Sequence, residues 1–322
     1  IAVTEPATTA ELGCPQPETG PRVRWRKRVR SSAASRLVGA PHHTSSDPIS
    51  NPGEDAIITG KFAYGVISKD LVGEDVALWL RMRPCGPWQE LARAPTDDDG
   101  WISFTVPSHL IPTVGAYPYR LIVRGDLSTA SGVIYVLPRA TRVAIFDIDG
   151  TLTTGDSELL EQIALGADPD MHRGANRVAN HYARAGVLPI YITGRPYLLR
   201  PATMSWLRRK GFPVGPLITT DSLGAARPGT RGVGRFKQSI LSALRNRAGL
   251  TIIAAYGNAS TDVCAYAHSG IAPNRTYIVG EKSTQCSGYP ATRTLTDYVA
   301  HLEQLIAAGL PGGGSGSPHA PR

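Results

Sequence analysis

The chain has 322 residues, more than one hydrophobic core usually spans, so two domains are expected. A composition of 42% hydrophobic and 19% charged residues is that of a globular protein and excludes collagen-like and disordered classes. No apolar run approaches the roughly 18 to 20 residues of a membrane-spanning helix, which argues against an integral membrane protein. The net charge of +8 rests on 28 Arg and only 6 Lys. Guanidinium groups grip phosphates well, so an anionic partner is expected: a phospholipid headgroup, a nucleic acid or a phosphorylated small molecule. A base-composition bias of the genome explains the Arg excess equally well. Cys14, Cys85, Cys264 and Cys286 show neither CxxC spacing nor a Cys/His cluster, so a structural zinc site is not expected. Four reduced thiols are the expectation, with Cys264 and Cys286 the pair to lie closest if bridges form. The chain begins at Ile1, consistent with a processed or truncated sequence, so targeting is not legible. A cytoplasmic or peripheral membrane setting is the working expectation, and a secreted one stays open.

Residues 1–54 are rich in Pro, Thr, Ser and Arg, show no sustained period and read as irregular. They include Arg22-Val23-Arg24-Trp25-Arg26-Lys27-Arg28-Val29-Arg30, either a solvated arm or a contact for an anionic membrane or nucleic acid. Residues 55–139 hold six β-rich runs, at 56–68, 75–82, 88–92, 101–106, 116–124 and 132–137. Turn signals between them, such as Asp97-Asp98-Asp99-Gly100, suggest an antiparallel β-sandwich of immunoglobulin-like size. From 140 to 308 strands alternate with helices. Strands are expected at 142–146, 187–192, 214–219, 251–256 and 276–279, and helices at 171–185, 197–210, 235–247, from 263, and at 294–308. That order predicts an α/β fold with a doubly wound parallel sheet. Residues 309–322, rich in Gly, read as a flexible tail.

Ligands of such sheets bind outside the carboxyl ends of the strands, so the residues following each strand carry the functional reading. These are Asp147-Ile148-Asp149-Gly150-Thr151, Thr193-Gly194-Arg195, and Gly257-Asn258-Ala259-Ser260-Thr261-Asp262. Two carboxylates two residues apart on an extended strand project to one side. They suit a nucleophile, Asp147, and an acid/base, Asp149. Asp147, Asp149, Asn258 and Asp262 form an oxygen-rich set suited to Mg²⁺, with a main-chain carbonyl near Asp149. Thr193 and Gly194 are candidate phosphate-binding residues, and Lys237, after the glycine-rich 229–234, can neutralise phosphate and nucleophile together.

The stretch Phe146-Asp147-Ile148-Asp149-Gly150-Thr151-Leu152-Thr153 resembles the first motif of the haloacid-dehalogenase superfamily of phosphatases. Thr193, Lys237 and Asn258 with Asp262 fall where its later motifs belong. Tyr191-Ile192-Thr193-Gly194-Arg195-Pro196, Ala254-Ala255-Tyr256-Gly257-Asn258 and Thr276-Tyr277-Ile278-Val279-Gly280 are similar to the region shared by lipins and Nir/retinal-degeneration-B phosphatidylinositol transfer proteins. In the β-rich part, residues 58–65 and 119–126 look like the Nir-type proteins too. The resemblance runs from about Pro41 to Ala308 and implies a haloacid-dehalogenase-like domain behind an immunoglobulin-like sandwich.

Lipins are Mg²⁺-dependent phosphatidate phosphatases. The Nir-type region has lost the nucleophilic aspartate and binds phosphatidic acid as a membrane-targeting module. This chain follows the Nir-type wording yet keeps Asp147, and its Asn258 is lipin-like. Lipid transfer is not carried over, because 322 residues leave no room for the transfer domain. Only 43 residues separate Asp149 from Thr193, too few for a large cap, which suits a bulky or membrane-embedded substrate.

The resemblance therefore implies a phosphatase acting on phosphatidic acid through an aspartyl-phosphate, with a non-catalytic phosphatidate-binding module as the alternative. A phospholipid or membrane surface is the expected partner, nucleic acid is not, and the oligomeric state is not legible. A membrane-docking edge could come from Tyr197, Leu198, Leu199, Arg200, Trp206, Arg208 and Arg209, although an amphipathic helix packed on the sheet fits the same pattern. His42 and His43 read as surface or turn residues.

Overall fold

The computed structural model describes residues 14–26, 39–65, 69–155, 168–221, 230–280 and 286–309. The expected tail beyond residue 309, Lys27 to Arg30 of the basic arm, and Gly229 lie outside the described residues. Two compact units divide the chain, Ile1–Leu137 and Pro138–Arg322. Among the described residues no helix is long and apolar enough to cross a membrane.

The first unit is the expected β-sandwich. In chain order its strands are β1 (Thr44–Ser45), β2 (Ile49–Ser50), β3 (Ala56–Lys61), β4 (Ala63–Tyr64), β5 (Lys69–Asp70), β6 (Asp75–Arg81), β7 (Trp88–Pro95), β8 (Trp101–Val106), β9 (Gly115–Val123) and β10 (Thr129–Val136). They form a β1-β3-β8 sheet, a β2-β10-β9-β6-β7 sheet and a separate β4-β5 pair. Period-two alternation builds the core: Ile102, Phe104 and Val106 of β8 point inward, as does Ile58 of β3, while Ile57 is exposed. They pack with Leu78, Leu80, Leu121 and Ile134.

Four features depart from the expectation. Residues 39–54 supply β1 and the parallel edge strand β2, each only two residues long and too short to show a period. Strand β6 is buried at six of its seven positions, because residues 14–26 lie along this sheet. The main-chain carbonyl of Pro15 accepts from Arg81 and from Trp88 Nε1, at 2.6 and 2.9 Å, and Val23 N–H donates to Arg124 O at 3.0 Å. Arg26 of the basic arm pairs with Asp75 at 2.8 Å. The cysteines are bridged rather than reduced, as Cys14–Cys85 and Cys264–Cys286. The first closes a separation of 71 residues, worth about 4 kcal/mol on chain-entropy arguments. His43 is not on the surface: it is buried between the rings of Phe62 and Tyr64, with Nε2 2.8 Å from Ser128 Oγ.

The second unit carries one parallel six-stranded sheet. Its elements are β11 (Arg142–Phe146), α1 (Ala175–Arg184), β12 (Leu188–Pro196), α2 (Arg200–Arg209), β13 (Leu217–Thr220), α3 (Arg235–Ser242), β14 (Thr251–Gly257), α4 (Ser260–His268), β15 (Thr276–Val279), β16 (Arg293–Leu295) and α5 (Tyr298–Ala308). The order β13-β12-β11-β14-β15-β16 reverses direction between β11 and β14, the doubly wound arrangement. Near-continuous apolar runs such as Val143–Phe146 form these strands because both faces are covered. In the core the ring of Phe146 stacks on Tyr256 at 4.8 Å, and Tyr256 on Tyr277 at 5.0 Å.

The expected closing helix at 294–308 begins later. Residues 293–295 add the sixth strand, and Asp297 caps α5 by accepting from Val299 and Ala300 N–H. The expected helix 235–247 is α3 followed by a π-helical turn, Ala243–Arg247. In α2 and its leading turn Tyr197, Leu199, Arg200 and Trp206 are buried and Arg209 pairs with Asp168, so the apolar members face the core. Between Asp149 and Thr193 the described residues hold one helix, α1.

Candidate active site

The switch point between β11 and β14 is where the chemistry collects. Strand β11 ends at Phe146, so Asp147 leaves its carboxyl end, its N–H donating to Tyr256 O on β14 at 3.0 Å. Strand β12 runs on through Thr193-Gly194-Arg195, but its register with β13 breaks between Ile192 and Pro196, lifting these three residues out of regular pairing. A Cβ on Gly194 would lie 2.8 Å from a Val233 methyl, so only glycine allows the approach of the 230–234 turn that leads into α3. Gly257 closes β14 for a similar reason: a Cβ there would meet Asp262 Cβ at 2.6 Å. Asp262, in the first turn of α4, reaches back so that its Oδ2 accepts from Asn258 and Ala259 N–H, both at 3.1 Å.

These backbones bring the side chains together. Lys237 Nζ, on α3, donates to Asp147 Oδ1 at 2.6 Å and to Asp262 Oδ1 at 2.5 Å, and all three side chains are buried. Thr151 Oγ1 bridges Asp147 Oδ2 at 3.0 Å and Asn258 Oδ1 at 3.4 Å. Tyr298 of α5 donates to Thr151 O at 2.9 Å and steadies that loop. Asp149 stands apart from Lys237. Arg195 clamps it with Nε at 3.0 and 3.1 Å from its two oxygens and a terminal nitrogen at 2.7 Å. Thr193 Oγ1 adds a fourth contact at 3.0 Å. The Arg195 side chain is wholly buried while that of Asp149 keeps 21% of its exposure, so the clamped carboxylate faces the rim.

Burial is the main cause that raises the Asp147 pKa; Lys237 opposes it, and the charges of Asp262 and Asp149 add to it. Burial also works against the Lys237 charge, but Asp147 and Asp262 outweigh it and its pKa is raised. Three carboxylates thus share a rim with one buried ammonium and one buried guanidinium. The carboxylates of Asp147 and Asp262 with Asn258 Oδ1 make an oxygen-only donor set, which fits a hard divalent cation that would relieve the crowded negative charge.

Every sequence-derived site residue lies at this rim: Asp147, Asp149, Thr193, Gly194, Lys237, Asn258 and Asp262. Asp147 and Asp149 have separate partners: Lys237 holds Asp147, and the Asp149 side chain, expected among the metal ligands, is bonded to Arg195 and Thr193. Sequence reasoning gave no role to Thr151 or Arg195, although both lie inside the quoted motif stretches. A cationic residue directly after Thr193-Gly194, at the carboxyl end of a buried strand, was the available signal.

The family described as "PITM 1-3, LNS2 domain" matches residues 144–280, and "PITM 1-3, beta-sandwich domain" matches 41–136. Membrane-associated phosphatidylinositol transfer protein 1 of Homo sapiens is 34% identical over 307 residues, covering 93% of this chain and 23% of that protein. Protein retinal degeneration B of Drosophila melanogaster is 33% identical over 291 residues, 90% of this chain and 22% of that protein. The chain therefore spans less than a quarter of these relatives. A solved D,D-heptose 1.7-bisphosphate phosphatase from B. bronchiseptica, complexed with magnesium and phosphate, aligns with 52% of this chain and 99% of its own, at 16% identity and TM-score 0.38. Residues 144–280 are thus similar to an LNS2 domain and residues 41–136 to a PITM-type β-sandwich, each within one of the two units of the chain.

Proposed function

We propose that the second unit is a Mg²⁺-dependent phosphomonoester hydrolase whose substrate is phosphatidic acid. The observation that carries this reading is the buried Asp147, held by Lys237 and Thr151 at the strand switch point beside Asp262. A carboxylate so placed is a nucleophile with its charge already countered. A carboxylate oxygen of Asp147 attacks phosphorus, the bond to the glycerol oxygen breaks, and Asp149 delivers its proton to that leaving oxygen. Asp149 then takes a proton from water, which attacks the aspartyl-phosphate, releases phosphate and frees Asp147. In this reading Thr193 and the Gly194 backbone hold the transferring group, and Lys237 tempers the charge that accumulates between phosphate and carboxylates. Asp147, Asn258 and Asp262, with a main-chain carbonyl near Asp149, would hold the Mg²⁺. When bound, the ion supplies Lewis-acid neutralisation of the phosphoryl oxygens. The names of the relatives support work at a membrane surface, with a phospholipid rather than a nucleic acid as partner.

One observation favours a second reading, a module that binds phosphatidate without turning it over. Asp149 can protonate a leaving group only after Arg195 releases it, and the clamp is bidentate and buried. The test is phosphate release from phosphatidic acid in mixed micelles, with and without Mg²⁺, for the wild type and Asp147→Asn. The enzyme reading expects metal-dependent release that the substitution abolishes. No release from phosphatidate or soluble phosphomonoesters, with vesicle binding intact in both proteins, establishes the binding module instead.

A further inference from the structure

Helix α4 carries two groups with metal-binding chemistry one turn apart, Cys264 and His268, which share a helix face. Cys286, beyond β15, is brought to the same place. One ligand atom from each of the three lies within 4.8 Å of the others. Cys264 and Cys286 are joined as a disulfide with their Cα atoms 5.0 Å apart. His268 Nδ1 lies 2.6 Å from the Cys264 carbonyl oxygen, an acceptor only, so Nδ1 carries the proton and Nε2 keeps its lone pair. This is how a backbone carbonyl orients a metal-ligating imidazole. The Tyr289 ring packs edge-on against His268 at 5.2 Å and restrains it. His268 is exposed and Cys286 buried, so the cluster opens to solvent on one side.

We propose that Cys264, His268 and Cys286 form a second metal site, for a thiophilic divalent cation such as Zn²⁺, which alternates with the disulfide. A dithiol reductant gives two electrons and two protons to the S–S bond and becomes a disulfide itself. The two thiols then lose their protons as the cation binds. The sulfurs need part only to about 3.7 Å, the edge of a tetrahedron with bonds of about 2.3 Å. Two sulfurs and an imidazole select a soft cation, whereas the all-oxygen set at the strand switch point selects a hard one, so the sites do not compete for metal. Either linkage, disulfide or metal, ties Cys286 to α4, whose first turn carries Asp262. The sequence shows no compact Cys/His motif because the third ligand lies 22 residues from Cys264.

The test is a Co²⁺ titration of the full chain after dithiothreitol reduction and anaerobic removal of the reductant, read by sulfur-to-cobalt charge-transfer absorption. Cobalt held by oxygen ligands gives no such band, so the carboxylate site stays silent. The expected result is one equivalent bound with a two-thiolate band. That band should be lost in Cys286→Ser and absent from the oxidised protein. His268→Ala, which changes an exposed side chain, should weaken binding about tenfold or more. Cys14 and Cys85 persist in every variant, so their contribution subtracts. Equal absorption from the reduced wild type and Cys286→Ser overturns the site, and unchanged affinity in His268→Ala overturns the assigned trio.

Discussion

Arg195→Ala is the most informative single perturbation of the second unit. Arg195 is 1% exposed and makes three bonds of 2.7 to 3.1 Å to Asp149, with a fourth to Thr203 Oγ1 at 2.9 Å. Removing one member of a buried ion pair costs about 3 to 5 kcal/mol, because the partner is left charged and dry. The Asp149 side chain retains 21% exposure, so water recovers part of its solvation and the lower end applies. The expected loss is about 3 kcal/mol for Arg195→Ala. Arg195→Lys keeps the charge but lacks the fork, and should lose about 1.5 kcal/mol. A double-mutant cycle of Arg195→Lys with Asp149→Asn isolates the pair, with an expected coupling of about 1.5 to 3 kcal/mol. Because the chain has two units, global unfolding curves mix two transitions. Hydrogen exchange of β11 and β12 peptides at graded urea reports the second unit alone. A coupling under about 0.5 kcal/mol refutes the reasoning, since the clamp would then be a contact without consequence.

Lys237→Met should destabilise the second unit by about 3 to 5 kcal/mol, because Asp147 and Asp262 lose their shared cation. Adding Asp147→Asn to it should recover part of that loss in the same exchange experiment. His43 gives the first unit a pH dependence: burial lowers its pKa from 6.5 to about 4. Because the folded-state value lies below the unfolded one, this contribution is full above 6.5 and is lost as the pH falls through about 4, roughly 3 kcal/mol in all. Urea midpoints of the first unit at pH 7, 5.5 and 4 should fall accordingly, and His43→Gln should flatten the curve. Gly257→Ala drives a Cβ to 2.6 Å from that of Asp262, displacing the start of α4. It should cost about 1 to 3 kcal/mol, read as a fall in thermal midpoint.

The parts of this molecule that were legible share one cause. Buried parallel strands need apolar residues on both faces, so β11, β12, β14 and β15 stand out as runs, and whatever follows each run must sit on one rim. That is why Asp147, Thr193, Asn258 and Asp262 could be grouped although they are scattered over more than a hundred positions. Strands of two or three residues, β1, β2 and β16, offer no period to read and are held by pairing alone. The Cys264–Cys286 pairing was legible as the nearer pair, whereas the Cys14–Cys85 bridge escaped for a related reason. Cys14 meets Cys85 only because residues 14–26 lie along a sheet whose order is a tertiary fact.

The carboxylate pair shows how far order along the chain can go. Topology places Asp147 and Asp149 at one rim, but the partner of each is decided by helices and bulges that arrive later. Lys237 comes from 90 residues beyond Asp147 and Arg195 from 46 beyond Asp149. The two carboxylates, alike in sequence, are thereby given unlike surroundings: one buried against an ammonium and a second carboxylate, the other forked by a guanidinium at the edge of solvent. That difference in surroundings depends on Arg195, which the motif contains but motif reading leaves without a task. On the proposed enzyme reading Arg195 must release Asp149 when substrate arrives, so Arg195→Ala should change phosphatidate turnover more than vesicle binding.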